Sequence, residues 1–222
     1  GDRTITELFQ KHSYPFGVMV NLDGNRYLDE GADFRNYTYV TYGRALLEQP
    51  SGLGFQIFDE KVKHLLRDEY HIPQVTMAQA DTIEELAVRL DINPAGLVKT
   101  IDEYNAAVQQ DVPYNPTVKD GRGTVGITPP KTNWAQTIDT PPYVGYAVTC
   151  GISFTFGGVK INTRGQVVTN GQDPIPGLYA AGEMVGGLFY YNYPGGSGLS
   201  AGMVFGRLAG TSAGQDALAK KR

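Results

Sequence analysis

Residues 180–210, AAGEMVGGLFYYNYPGGSGLSAGMVFGRLAG, decide the fold of this 222-residue chain. The short apolar run over residues 178–181 predicts a buried strand, and Gly182 then permits a tight turn that presents Glu183 at the carboxyl end of the strand. Ligands bind at that edge in open α/β sheets. The small residues over 199–213 predict a helix whose backbone packs closely against another surface.

The start of that helix, near residues 197–199, offers unpaired N–H donors and a partial positive charge, which suit an anion or a polarised carbonyl. The loop YPGGSGLSAG (193–202) lacks the lysine that follows the glycines of a phosphate-binding P-loop. A flat ring system that accumulates negative charge fits better, and reduced flavin, with its charge at N1 and O2, is such a ligand.

A helix pair is predicted over residues 81–110. Thr82 and Glu85 form a capping box at the first start, and Asn93 with Pro94 begins the second helix. Two hairpins are predicted, over residues 16–30 with a turn at Asp23-Gly24, and over residues 157–168 with a turn at Arg164-Gly165. The remaining segments are an irregular aromatic stretch (31–50), a short helix (61–68) and a proline-rich tether (111–145).

Composition excludes several classes of function. The formal net charge of −4 gives no attraction to nucleic acid or anionic membranes, and the second helix of the pair offers only Lys99 as a base. No apolar run approaches the ~20 residues of a membrane span. The three histidines and the single Cys150 show no metal-ligand spacing, so no metal site is expected. One cysteine is compatible with the reducing cytoplasm, which is the expected location.

Several motifs in order and spacing resemble the C-terminal part of the fumarate reductase and succinate dehydrogenase flavoprotein superfamily. They are GNRYLDE, TIEELAVRLDINPAGLVKTIDEYNAAV, GGVKINTRGQV, IPGLYAAGE and GGSGLSAGMVFGRLAG. Within that superfamily, KHSYPFGVMVN, GADFRNYTYVTYGR and YPGGSGLSAGMVFGRLAG resemble the FAD-dependent tricarballylate dehydrogenases. The resemblance covers nearly the whole chain.

The resemblance implies an α+β chain in two parts. Residues 1–145 are expected to form a substrate-capping domain that contains the helix pair, and residues 146–222 the C-terminal strands and helix of an FAD-binding α/β domain. The implied cofactor is FAD. The implied reaction oxidises a C–C single bond of a small polycarboxylate, with hydride passing to flavin N5 and a base taking the neighbouring proton. Tricarballylate would give cis-aconitate, and a separate electron acceptor protein would reoxidise the flavin.

The resemblance also assigns cofactor contacts. Glu183, after Gly182, matches the acidic residue that binds the flavin ribityl hydroxyls. The backbone of Gly198, Leu199 and Ser200 matches the helix start at the O2 edge of the isoalloxazine ring. A surface glutamate and plain helix packing are the structural alternatives at these positions.

Two substrate ligands of fumarate reductases are replaced, since Phe154 stands where they have a histidine and Tyr193 where they have an arginine. Tyr193 instead resembles the tyrosine with which ketosteroid dehydrogenases polarise a substrate carbonyl. Arg35 follows the end of the first hairpin at nearly the spacing of the family's cap-region arginine. Arg35 and Arg44 are therefore the candidate proton-relay or carboxylate-binding residues. A packed tyrosine and solvated arginines are the alternatives.

The dinucleotide fingerprint G-x-G-x-x-G between a strand and a helix, with a later acidic residue, is absent from the sequence. The chain is therefore expected to be a fragment that binds FAD weakly and turns over nothing alone. Exposed apolar faces on the final helix and on strand 178–181 predict self-association. A ketosteroid-type flavin dehydrogenase and a non-catalytic binding module are the alternative functions.

Overall fold

The computed structural model describes residues 9–220. They form two compact units, which divide between Gly151 and Ile152. This division lies a few residues after the expected boundary at residues 145/146, which falls inside a strand of the first unit, Tyr143–Thr149.

The first unit is built on a four-stranded antiparallel sheet. Its strands are β1 (Val18–Val20), β2 (Leu53–Phe58), β3 (Met77–Ala80) and β4 (Tyr143–Thr149), in the order β1-β2-β4-β3. Side chains alternate between the two faces of the sheet. Val18 and Val20 enter one apolar cluster, whereas Met19 between them enters another on the opposite face.

The helices of the first unit cover both faces. They are α1 (Arg35–Leu47), α2 (Ile83–Leu90) and α3 (Pro94–Ala107). Leu86 and Leu97 of the α2–α3 pair are fully buried against β1 and β2. The predicted caps are confirmed, since Thr82 Oγ1 accepts from Glu85 N at 3.1 Å and Asn93 Oδ1 from Gly96 N at 3.1 Å.

Helix α1 corrects the prediction of an irregular stretch over residues 31–50. Its aromatic and β-branched residues have poor intrinsic helix propensity, which concealed it. Tertiary packing stabilises the helix instead, because Tyr39 and Tyr42 of α1 pack on the cluster formed by Tyr14, Met19 and Leu28.

The hairpin predicted over residues 16–30 is also only partly right. The chain turns after Asn21, whose N–H donates to Asn25 O at 3.0 Å, but the return is a single bridge between Val20 and Arg26. The true partner of β1 is β2, with Val18 opposite Ile57. The short helix predicted over 61–68 is a 3-10 helix over Glu60–Leu65.

A buried ion cluster ties the 111–145 segment to this sheet. Glu30 is fully buried and accepts from Arg26 Nη2 at 2.6 Å, from Arg26 Nε at 3.0 Å and from Met19 N at 2.8 Å. Arg26 Nη1 donates onward to Pro129 O at 2.7 Å, and the buried Lys131 ammonium donates to Gly17 O. The prolines of this segment therefore lie in ordered, anchored chain.

The second unit contains strands β5 (Gln166–Val168) and β6 (Pro174–Tyr179), a 3-10 helix over Gly182–Met184, and helix α4 (Ser197–Ala219). The predicted turn at Arg164-Gly165 is confirmed by Gly165 N donating to Asn162 O at 3.0 Å. Gly165 has φ +74°, and a Cβ there would lie within 3 Å of Ala209 on α4. Glycine at this turn therefore permits the close approach of α4.

Helix α4 extends the predicted 199–213 helix in both directions. Its later half is fixed by Asp216, which accepts from Arg164 Nη2 at 2.6 Å and from the Tyr179 hydroxyl. The strand predicted over 178–181 is only partly right, because β6 begins earlier and ends at Tyr179, and Leu178 is 46% exposed rather than buried. Among residues 9–220, no helix is long and apolar enough to cross a membrane.

Candidate functional site

In the second unit the chain leaves β6 through Gly182, which has φ +78° and opens the 3-10 helix Gly182–Met184. The turn presents Glu183 at the surface. Glu183 Oε1 accepts from Thr155 N at 2.7 Å, and the other carboxylate oxygen has no partner within residues 9–220. The arrangement holds the carboxylate by one oxygen and leaves the second available to a ligand hydroxyl.

The start of α4 lies beside this turn. A Cβ built on Gly202 would lie 3.7 Å from Gly182 Cα, one helical turn after Gly198. Gly196, with φ +88°, caps the helix and supplies no side-chain acceptor. Of the first-turn amides, Ser197 N donates to Pro194 O at 3.1 Å.

The next amide of the helix start, that of Gly198, is bound by Tyr193. Its hydroxyl accepts from Gly198 N at 2.9 Å, and its ring, 8% exposed, stacks on Phe154 at 4.8 Å. Phe189 packs edge-on against both rings. The Leu199 N–H has no acceptor among the described residues, so it remains as a donor at the exposed end of the helix.

Arg35 and Arg44, the candidate relay or carboxylate-binding residues, both lie on α1 of the first unit. They are nine positions apart, so about 100° of rotation per residue puts them on opposite sides of the helix, ~13.5 Å apart along its axis. Arg35 is partly buried and Arg44 exposed. The structure therefore does not bring the two arginines together.

Arg35 meets a residue that sequence reasoning missed. Its Nη1 lies 3.2 Å from His12 Nδ1, and the His12 ring lies 5.3 Å from the Tyr39 ring. Burial, and then the nearby Arg35 charge, lower the pKa of His12 to about 4. Because 23 positions separate the two residues, no local sequence pattern could have indicated this contact.

Two open depressions lie on α3, one of about 500 Å³ against residues 125–128 and one of about 490 Å³ beside α2. The carboxylates of Glu84, Asp102 and Glu103 line one or both, against the single cation of Lys99. Their negative charge makes them unsuitable for an anionic substrate. No group of three metal-ligating side chains occurs within residues 9–220.

The chain is similar to known flavoproteins along most of its length. Residues 3–199 match the family model described as FAD binding domain. A probable fumarate reductase of Shewanella frigidimarina (strain NCIMB 400) is 36% identical over 207 residues, which are 91% of this chain and 32% of the relative.

Solved structures agree with these matches. The open conformation of a flavocytochrome c3 fumarate reductase is 31% identical with a TM-score of 0.65, over 94% of this chain and 34% of that one. A 3-ketosteroid Δ1-dehydrogenase from Sterolibacterium denitrificans, with TM-score 0.67 over 93% of this chain and 41% of that one, is only 23% identical and shows the fold alone.

The chain spans about a third of the length of the fumarate reductases it matches. Its mixed helix and sheet structure is similar to that of FAD-binding flavoproteins. FAD is the cofactor of the matched family. The chain therefore belongs to the FAD binding domain family, within the fumarate reductase and succinate dehydrogenase flavoprotein superfamily.

Proposed function

We propose that this chain supplies the substrate-capping part and the C-terminal flavin-domain part of an FAD-dependent dehydrogenase that oxidises a C–C single bond of a small polycarboxylate. The proposed reaction converts tricarballylate to cis-aconitate, with a separate electron acceptor. One observation carries the proposal: the Gly182 turn, with its half-engaged Glu183 carboxylate, packs beside the start of α4, whose Leu199 N–H is without an acceptor among the described residues.

These groups fit one edge of FAD. A carboxylate oxygen accepts from ribityl hydroxyls, and a helix-start N–H donates to a ring carbonyl that gains negative charge on reduction. Gly182 has open space where a Cβ would stand, so the turn leaves room for a ligand. Gly198, Leu199 and Ser200 would hold the ring edge, and Gly182 with Glu183 the ribityl chain. When bound, FAD supplies the hydride acceptor.

The remaining roles belong to side chains of the chain itself. Tyr193 orders the α4 start by accepting the Gly198 N–H, and a phenol has the chemistry to contact a substrate carboxylate or carbonyl. Arg35, partly buried, is a donor for a substrate carboxylate, and Arg44 is the alternative cation on the same helix. A steroid carries no carboxylate, so these arginines favour a polycarboxylate over a ketosteroid.

The exposed apolar surface of the second unit supports the proposal that this unit is one part of a flavin domain. Leu199, Met203 and Leu218 of α4 are each about two-thirds or more exposed, and Met184 beside the turn is 63% exposed. We expect this surface to cause self-association of the chain, which sedimentation velocity at increasing concentration would detect. A monomer at all concentrations would contradict that expectation.

The function is tested by titrating FAD against two chains, this one and a longer one that includes the upstream region present in the relatives. Flavin fluorescence is expected to change little with this chain and to saturate at one equivalent with the longer one. Tricarballylate should then bleach the bound flavin, whereas a 3-ketosteroid should not. Failure of the longer chain to bind flavin would overturn the proposal, and bleaching by the steroid alone would replace its substrate.

A further inference from the structure

Tyr193 lies in a group of aromatic rings that belongs wholly to the second unit. Its ring stacks face to face on Phe154, with the ring centroids 4.8 Å apart and an angle of 15° between the planes. Phe189 meets both rings edge-on, with its centroid 4.9 Å from that of Tyr193 and 5.4 Å from that of Phe154. Stacked and edge-on contacts of this kind are favourable beyond the area that they bury. Phe154 and Phe189 therefore restrict the orientation of the Tyr193 ring by packing.

The stacked ring places the Tyr193 hydroxyl at the start of α4. The hydroxyl accepts from Gly198 N at 2.9 Å, and an N–H in the first turn of a helix has no acceptor within the helix itself. A Cβ built on Gly198 would lie 2.5 Å from the Tyr193 hydroxyl oxygen and 2.5 Å from the Phe154 ring. The three residues are therefore packed against one another, and the position of the hydroxyl depends on the face of Phe154 on which its ring lies.

The chain that carries Phe154 is anchored to the segment that contains Glu183. Thr155 N donates to Glu183 Oε1 at 2.7 Å, and Gly187 N donates to Phe156 O at 3.3 Å. Neither hydrogen bond involves Tyr193. Hydrogen bonds at the next two residues therefore fix the backbone beside Phe154 independently of the tyrosine, so the Phe154 ring offers Tyr193 a surface that is itself held in place.

We infer that Phe154 is a positioning residue for Tyr193, through which it affects the proposed reaction. The role of Tyr193 towards the substrate rests on the proposed function, whereas the placement of its hydroxyl rests on the second unit alone. A phenylalanine side chain can neither donate a hydrogen bond nor exchange a proton, so the contribution of Phe154 is the flat face that holds the phenol. A displacement of about 1 Å at a reacting group can lower a rate about 100-fold, so the loss of this face has a measurable effect.

The placement of the hydroxyl is tested on this chain by hydrogen–deuterium exchange of the Gly198 amide. Mass spectrometry with electron-transfer fragmentation resolves single amides at micromolar protein concentration. Tyr193→Phe removes the acceptor and should speed the exchange of the Gly198 amide about tenfold, and Phe154→Leu should do the same. Phe156→Leu is the matched control, because the Phe156 ring lies 6.4 Å from that of Tyr193 and is tilted rather than stacked on it. The control should leave the exchange rate within about twofold of the wild type.

The effect on the reaction is tested in the longer, flavin-binding chain by the rate at which tricarballylate bleaches the bound flavin. Phe154→Leu should lower that rate about tenfold when Tyr193 is present. In a chain that already carries Tyr193→Phe, the same change should lower the rate by less than about twofold. The difference arises because a residue that acts through the Tyr193 hydroxyl has nothing to position once the hydroxyl is removed. A purely structural role of Phe154 would instead give the same loss in both backgrounds.

Two results would overturn the inference. Wild-type exchange of the Gly198 amide in Phe154→Leu would mean that the stack does not hold the hydroxyl, and equal losses of rate in both backgrounds would mean that Phe154 does not act through Tyr193. If Phe154→Leu speeds exchange along the whole of α4, Phe154→Met replaces it in both tests, because Met retains more of the buried volume but has no flat face. Failure of the longer chain to bind flavin counts against the proposed function instead, since the Gly198 measurement needs no flavin.

Discussion

Neutralising Glu30 should unfold the first unit at a markedly lower temperature. Glu30 is fully buried, the side chain of Arg26 is 4% exposed, and Lys131 lies in the same cluster at 1% exposure. Glu30→Gln keeps the shape but leaves two buried cations without their carboxylate. Removing one partner of a buried ion pair costs about 3–5 kcal/mol. Gln retains part of the hydrogen bonding, so we expect about 3 kcal/mol, or roughly 6–12 °C in Tm for a unit of this size.

The single tryptophan, Trp134, is 1% exposed within the first unit, so its fluorescence reports the unfolding of that unit. Glu103→Gln is the matched control, since it makes the same chemical change in the exposed Lys99–Glu103 pair of α3. Such surface pairs contribute at most about 0.5 kcal/mol. If Glu30→Gln lowers Tm no more than Glu103→Gln does, the ion cluster is not what anchors the 111–145 segment.

Three further predictions concern other parts of the chain. Gly198→Ala should destabilise the second unit by about 1–3 kcal/mol, because its Cβ would lie 2.5 Å from the Phe154 ring. The control Gly214→Ala, in open space on the same helix, should stabilise the unit by up to about 1 kcal/mol. Thermal denaturation followed by circular dichroism compares the two variants, and equal effects would contradict the prediction. Burial lowers the pKa of Lys131 from 10.5 to about 8, so the unfolded chain binds more protons than the folded chain between these pH values. The free energy of unfolding should therefore rise from pH 8 to about 9.5. Urea unfolding of Lys131→Met should lack that rise, and a rise equal to that of the wild type would assign it to another group. Glu183→Gln, in the longer flavin-binding chain, should weaken FAD affinity roughly tenfold without changing Tm, whereas a fall in Tm alone would make Glu183 structural.

Local signals predicted the parts of the fold that local forces determine. The α2–α3 pair follows from caps within three residues of each helix start, and the turn at Arg164-Gly165 from a glycine that must adopt positive φ. Helix α1 was missed because its stability comes from tyrosines that pack on β1 and on Leu28 rather than from its own propensity. The exposure of Leu178 was missed because an apolar run predicts a strand but does not show whether other parts of the chain cover its side chains.

The candidate site residues also differ in whether local sequence could predict their contacts. Gly182, Glu183 and the α4 start are close in sequence, so motif order alone was enough to predict that they act together. The surroundings of Arg35 are different, since His12 reaches it from a segment 23 residues earlier in the chain. Which arginine is available to a ligand appears only when the partners of each are known, because Arg26 is equally basic in sequence and yet is fully engaged by Glu30. Arg35 differs from Arg26 in lacking a carboxylate partner among the described residues, and that difference, rather than its sequence spacing, makes it the better candidate to bind an anionic substrate.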